Sequence, residues 1–321
     1  MHDALDASTF GVLPDWMLRR RESLALVHEG ASRTMRVRIL RGAHEVGGNC
    51  VEVEHDGARV ILDLGWPLTV EHDVDLPLPS VTGLANDDDP SLLGIVLTHP
   101  HFDHYGLLAK MPRSVRVYMG EAASRILREG AFFTPTGIDI TPAGFLRHRH
   151  SLSLGPFEIT AYLNDHSAFD AYSLLVEAGG RKLFYTGDLR AHGRKASLFE
   201  ELVRRPPAGV NVLLMEGTHI RQDADGTERG PTEQGVEEAC IETCRTAPGM
   251  VLAMYSPQNI DRLVTLYRAT IRAERMSPDF GKRRILDQPS LFPYEACWSW
   301  SPRRELRLHP WLSLSSSISG P

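Results

Sequence analysis

Short apolar runs broken by turn residues dominate the chain from Met35 onward. RVRIL from Arg36, NCVEVEH from Asn49, RVILDLG from Arg59 and GIVLTH from Gly94 each have strand length and β-branched content. Gly47-Gly48 and Asp56-Gly57 separate the first three, as turn dipeptides do. Further on, VRVYMG, FEITAYL, YSLLVEA, RKLFYTGD and NVLLMEG predict strands, and EAASRILREG from Glu121 predicts a helix. Strands flanking a few helices imply a layered α/β sandwich. After Glu216 the pattern predicts a helix from Pro231 to about Thr246, a strand GMVLAMY, and a helix from Pro257 to about Glu274 that opens at Ser256-Pro257.

Both ends read differently. Residues 1 to 34 are polar and mixed, with an RRRE run at Arg19 to Glu22 that reads as a solvated face or lead-in helix. The segment 71 to 90 is acidic and loop-like. Beyond Glu274 periodicity is lost, prolines recur, three of the five Trp crowd into 298 to 311, and SLSSSISGP reads as a flexible tail.

Composition bounds the function classes. The chain has 321 residues, 42% hydrophobic and 24% charged, the proportions of an ordinary globular protein. Collagen, coiled coil and wholesale disorder are excluded. A formal net charge of -6 argues against a broadly basic nucleic-acid coat and leaves room only for a local basic groove. No stretch approaches the roughly 18 apolar residues of a membrane span, so no membrane association and a cytoplasmic location are the expectations. Cys50, Cys240, Cys244 and Cys297 are too few and scattered for a disulfide framework and are expected to be reduced.

The chemistry concentrates in THPHFDHYG, where His99, His101, Asp103 and His104 follow the apolar run GIVL. With 14 His and 20 Asp in 321 residues, a chance His-x-His-x-Asp-His arises in about two of every thousand such chains. A buried strand ending in this loop turns several ligands toward one point, and imidazole with carboxylate suits zinc and similar divalent ions. Asp165-His166-Ser167 and Asp188 sit at two further strand ends. Asp63, ending another, reads as a carboxylate that orients a ligand imidazole.

Asp63-Leu-Gly, His99-x-His-x-Asp-His104, Asp165-His166-Ser167 and Gly187-Asp188-x-Arg190, in this order, resemble the successive motifs of the metallo-β-lactamase-fold hydrolases, over roughly residues 35 to 218. The resemblance implies a four-layer αββα sandwich. It also implies that His99, His101 and His166 hold one metal, that Asp103 and His104 hold a second, and that Asp188 bridges the two. The cofactors would be two divalent ions, zinc or manganese, and the nucleophile a water or hydroxide between them, with Asp63, Asp103, Asp188 and Glu216 as the catalytic carboxylates.

Within that family, GAHEVGGNCVEVE, GDLR and the continuation from LLMEG to SPQNIDRLVTLYRAT resemble the β-CASP branch, especially RNase J-like nucleases. Glu216 matches the acidic residue of that branch's first extra motif. The implied organisation is a lead-in over 1–34, the hydrolase domain over 35–218, the beginning of an inserted β-CASP-like α/β cap over 219–274, and an irregular tail over 275–321. RNA would be the substrate, lying between cap and core, and homo-oligomers are common in the branch. The branch completes its cap and returns to the core with a last metal-binding His. No such segment is placed here, His309 in LRLHPW is not assigned as a ligand, and the tail reads as truncated, frame-shifted or rearranged. The alternatives are a hydrolase of small esters, thioesters or lactones, and a non-catalytic remnant that binds metal or RNA.

Overall fold

In a computed structural model, residues 34–71, 73–85, 89–131, 138–218, 230–256 and 258–274 are described. The chain divides into two compact units, Met1–Glu233 and Gln234–Pro321. The lead-in up to residue 33 with its Arg19 to Glu22 run, the tail from 275 with Cys297 and His309, and residues 219–229 at the start of the expected cap lie outside the described residues.

The first unit is built on two sheets. Strands β1 (Arg36–Arg41), β2 (Cys50–His55), β3 (Ala58–Leu62), β4 (Leu92–Val96), β5 (Val117–Gly120) and β6 (Gly144–Leu146) lie side by side in chain order. The first three pair antiparallel and the last four parallel. The β2–β3 hairpin closes on Asp56 and Gly57, both at positive φ, the backbone a tight primed turn requires. The second sheet has the order β11–β10–β9–β8–β7, from β7 (Ser151–Leu154), β8 (Phe157–Leu163), β9 (Tyr172–Ala178), β10 (Arg181–Tyr185) and β11 (Val212–Leu214). Only β10–β11 is parallel.

Strand alternation builds two cores. Val60, Leu62, Val96 and Tyr118 on one face of the first sheet meet Phe157, Ile159, Leu174, Val176 and Leu183 of the second, so the sheets pack face to face. Ile61, Ile95, Val117 and Met119 on the opposite face pack with helix α1 (Phe102–Tyr105) and helix α2 (Glu121–Gly130), through Phe102, Tyr105, Ala123 and Leu127. Helix α3 (Ala196–Arg204) follows β10 and is tied by Glu201 to Arg149 at the start of β7. The fold is the expected α/β sandwich of two sheets with outer helices.

Three elements escape the hydrophobic pattern. β6 and β7 are three and four residues at sheet edges, and α3 begins at Lys195 with no side-chain cap. In the second unit, helix α4 (Glu233–Thr246) forms as expected, whereas helix α5 (Ile260–Arg272) begins later than Ser256-Pro257 predicts. The Asn259 side chain accepts from the Arg262 N–H and fixes that start. Between them, GMVLAMY is not a strand. Ala253 alone has bridge character, and Leu252 and Met254 are 60% and 79% exposed. Ile241, Cys244 and Ala269 form the small core of this unit.

Candidate metal centre

Three strand ends and one loop supply the site. After β4 the chain passes through Thr98 and His99 into the loop that carries His101, Asp103 and His104. After β8 it reaches Asn164, Asp165 and His166, and after β10 Gly187 and Asp188. The backbone on both sides of Asp103 is tied to the segment following β3: the Leu64 N–H donates to the His104 carbonyl, that of Trp66 to Phe102, and that of Leu107 to Leu64. Gly65 lies so close that a Cβ there would fall 1.6 Å from the Asp103 carbonyl oxygen. A side chain at 65 would displace the ligand loop.

The imidazoles converge. Ligand atoms of His99, His101 and His166 lie within 4.8 Å of one another, and so do those of His99, His104 and Asp188. His166 Nε2 is 3.0 Å from His101 Nδ1 and 3.9 Å from Asp188 Oδ2. Asp188 Oδ1 is 3.1 Å from His104 Nε2, and Asp103 reaches to 3.7 Å from the same nitrogen. All six ligand candidates named from the sequence therefore meet at one place. Asp103 is the outermost, since it belongs to neither three-residue cluster.

Asp63 lies behind the cluster with no solvent exposure and φ of +58°. Its carboxylate takes the Thr98 N–H at 2.7 Å, the Thr98 hydroxyl at 2.9 Å, the Tyr185 hydroxyl at 2.9 Å and His104 Nδ1 at 2.8 Å. That contact fixes the His104 tautomer and leaves Nε2 facing the site. Glu216 stands elsewhere: its carboxylate accepts from the Leu189 N–H at 2.6 Å, so it grips the backbone beside Asp188. Sequence reading missed Asn49, whose Nδ2 is 2.9 Å from His104 Nε2, along with Thr98 and Tyr185. Neutral side chains without ligand spacing carry no signal in the sequence.

The electrostatics divide the histidines. Burial, then the neighbouring imidazoles, hold His99 well below its ordinary pKa, and burial does the same for His166, so both present neutral lone pairs. Burial also opposes charge on His104, but Asp188 and Asp63 outweigh it and raise that imidazole well above the usual value. Asp188 is likewise disfavoured by burial, yet His104, His166 and His101 draw it far below the carboxylate range. Burial raises Asp103. His99 Nε2 is buried with no hydrogen-bond partner. An orphaned imidazole nitrogen facing further imidazoles and a carboxylate is a costly arrangement for a protein alone and a fitting one for a divalent cation.

A family model described as the beta-lactamase superfamily domain matches residues 58–252, well over half of the chain. The chain belongs to the beta-lactamase superfamily. A protein from Helicobacter pylori named Ribonuclease J is 24% identical over 257 residues, which cover 78% of this chain and 37% of that protein. Cleavage and polyadenylation specificity factor 73 of Drosophila melanogaster is 26% identical over 223 residues, 61% of this chain and 31% of that one. The chain thus spans less than two fifths of either relative. A solved structure from Enterococcus faecalis V583, described as a protein of unknown function, superposes with a TM-score of 0.60 at 18% identity, covering 76% of this chain and 67% of that chain. No helix among the described residues is long and apolar enough to cross a membrane.

Proposed function

We propose that this superfamily hydrolase is a ribonuclease that cleaves RNA phosphodiester bonds at a centre of two divalent ions, zinc or manganese. The observation that carries the reading is the convergence of four imidazoles and Asp188 around the orphaned Nε2 of His99. His99, His101 and His166 would hold one ion, Asp103 and His104 the other, and Asp188 would stand between them. When bound, such ions supply Lewis acidity toward a phosphoryl oxygen and lower the pKa of water from 15.7 to about 7. The chain's own residues do the rest. Asp63 and Thr98 orient His104 and His99. His99 and His166, kept neutral by burial, stay competent as donors into the acid range. Glu216 and Asn164 hold the backbone that carries Asp188.

RNA as substrate is supported by the relatives named for ribonuclease and RNA-processing activity. In this reading, residues 219–274 begin a β-CASP-like cap against which RNA would lie, and assembly into homo-oligomers follows the same branch. The test is cleavage of single-stranded RNA by the metal-loaded chain, with mononucleotides or short products expected and turnover falling to background in Asp188→Ala and His99→Ala. Intact RNA with cleavage of a lactone or thioester would move the substrate to small esters. Metal uptake without turnover of any of these would leave a non-catalytic metal-binding protein.

A further inference from the structure

Asp165 separates two residues with obvious work, and neither a ligand role nor a surface role accounts for it. Its side chain has no solvent exposure. Oδ2 accepts from the Gly193 N–H at 2.7 Å and Oδ1 from the Lys195 N–H at 3.1 Å, while the Arg190 guanidinium lies 3.9 Å away. Its main-chain carbonyl accepts from the Arg190 N–H at 2.7 Å. Asn164, one residue earlier, donates from Nδ2 to the carbonyls of Thr186 at 3.2 Å and Asp188 at 3.1 Å. The two side chains therefore grip both flanks of the loop that carries Asp188, from residue 186 to residue 195. Gly193 is shaped for this contact: a Cβ there would stand 2.2 Å from Asp165 Oδ1.

We infer that Asp165 is a positioning residue, which locks the loop 189–195 onto the strand end bearing His166 and so sets the separation between the His166 imidazole and the Asp188 carboxylate. The physical reason is rigidity. A buried carboxylate bonded to backbone N–H groups resists displacement, because moving the loop would leave a charge buried and unsatisfied. Burial pushes the Asp165 carboxyl upward, and the Gly193 N–H, the Arg190 cation and the Lys195 N–H pull against it. The strand end that bears His166 also has an anchor outside that loop, since the Asn164 N–H donates to the Ala171 carbonyl at 3.0 Å. Loss of the lock should then move Asp188 away while the His99, His101 and His166 set keeps its place.

The inference rests on the metal-centre reading above, and its test separates the two. Metal-free full-length chain is titrated with Co²⁺, followed by visible absorption and by calorimetry, for wild type, Asp165→Asn and Gly193→Ala. Asparagine keeps one acceptor oxygen and turns an N–H₂ toward an N–H donor. Alanine at 193 drives the loop off the carboxylate. In both variants the second Co²⁺ is expected to bind about 10–100-fold more weakly, the range for groups that hold a metal ligand in place, while the first, which keeps its three imidazoles, weakens much less. A purely structural role would lower the thermal midpoint without altering the ratio of the two affinities. Variants that titrate like wild type, or lose both sites equally, overturn the inference while leaving the metal centre standing. A wild-type chain that takes up fewer than two Co²⁺ overturns the dinuclear reading itself. If Asp165→Asn does not fold by circular dichroism, Gly193→Ala carries the decision.

Discussion

A carboxylate with no access to solvent holds four hydrogen bonds at Asp63, and the cost of burying that charge is met by donors from two segments, Thr98 and His104 after β4 and Tyr185 at the end of β10. Replacing it by asparagine keeps the shape but removes the acceptor that fixes His104. Asp63→Asn should lower metal affinity or turnover by about 10–100-fold, measured by zinc titration and initial rates. At Cys50 burial is the largest influence. Desolvation first, and then the nearby Asp63 charge, push its thiol up to about 12. Since the thiolate is the reactive form, Cys50 should remain unmodified by iodoacetamide at pH 8 in the folded chain and react fully in guanidinium, as read by peptide mass spectrometry. At this scale the sequence was readable where residues of one chemistry sit close together, as in His99, His101, Asp103 and His104. Asn49, Thr98 and Tyr185 were not readable, because their contribution exists only once the fold brings them to Asp63 and His104.

Among the elements, β4 carries the greatest burden, for it is central in the first sheet and ends two residues before Thr98. Ile95 is fully buried on its helix-facing side. Ile95→Ala should cost about 2–5 kcal/mol through lost burial and the cavity left behind, measured by urea unfolding, and should weaken metal binding because His99 depends on the same strand. The hydrophobic pattern recovered nearly all long strands with their ends close to place, since burial of one or both faces writes a period into the residues. It failed where packing writes no period. β6 and β7 are too short. Helix α3 has half-buried apolar residues and no side-chain cap, and the run from Gly249 to Tyr255 has the composition of a strand but only a single bridge residue, Ala253.

For the molecule as a whole, a cluster of imidazoles and carboxylates brought together without a cation is a store of unfavourable contacts that metal relieves. Anything bound only by the folded state stabilises it by mass action, so zinc at a hundred times its dissociation constant should add about 2.7 kcal/mol per site. A chelator should lower the thermal midpoint of the wild-type chain, seen by scanning calorimetry, and have a smaller effect on His99→Ala, which has lost one imidazole of the His99, His101 and His166 set. On the proposed function, the net charge of -6 means that an anionic substrate would be held locally, at the site, and not by a field of the whole surface.

The sequence by itself determined the succession of long strands along the chain and the close set His99, His101, Asp103 and His104 at one strand end, because hydrophobic period and close ligand spacing are local and survive without a fold. The tertiary structure alone decided how those ends meet. It placed His166 and Asp188, distant in the chain from His99, within one cluster, put Asp63 behind His104, and turned Asp165 and Glu216 toward backbone N–H groups around Asp188. Such contacts join residues from 27 to 89 positions apart, and a one-dimensional pattern holds no information on which of many carboxylates a folded backbone will face.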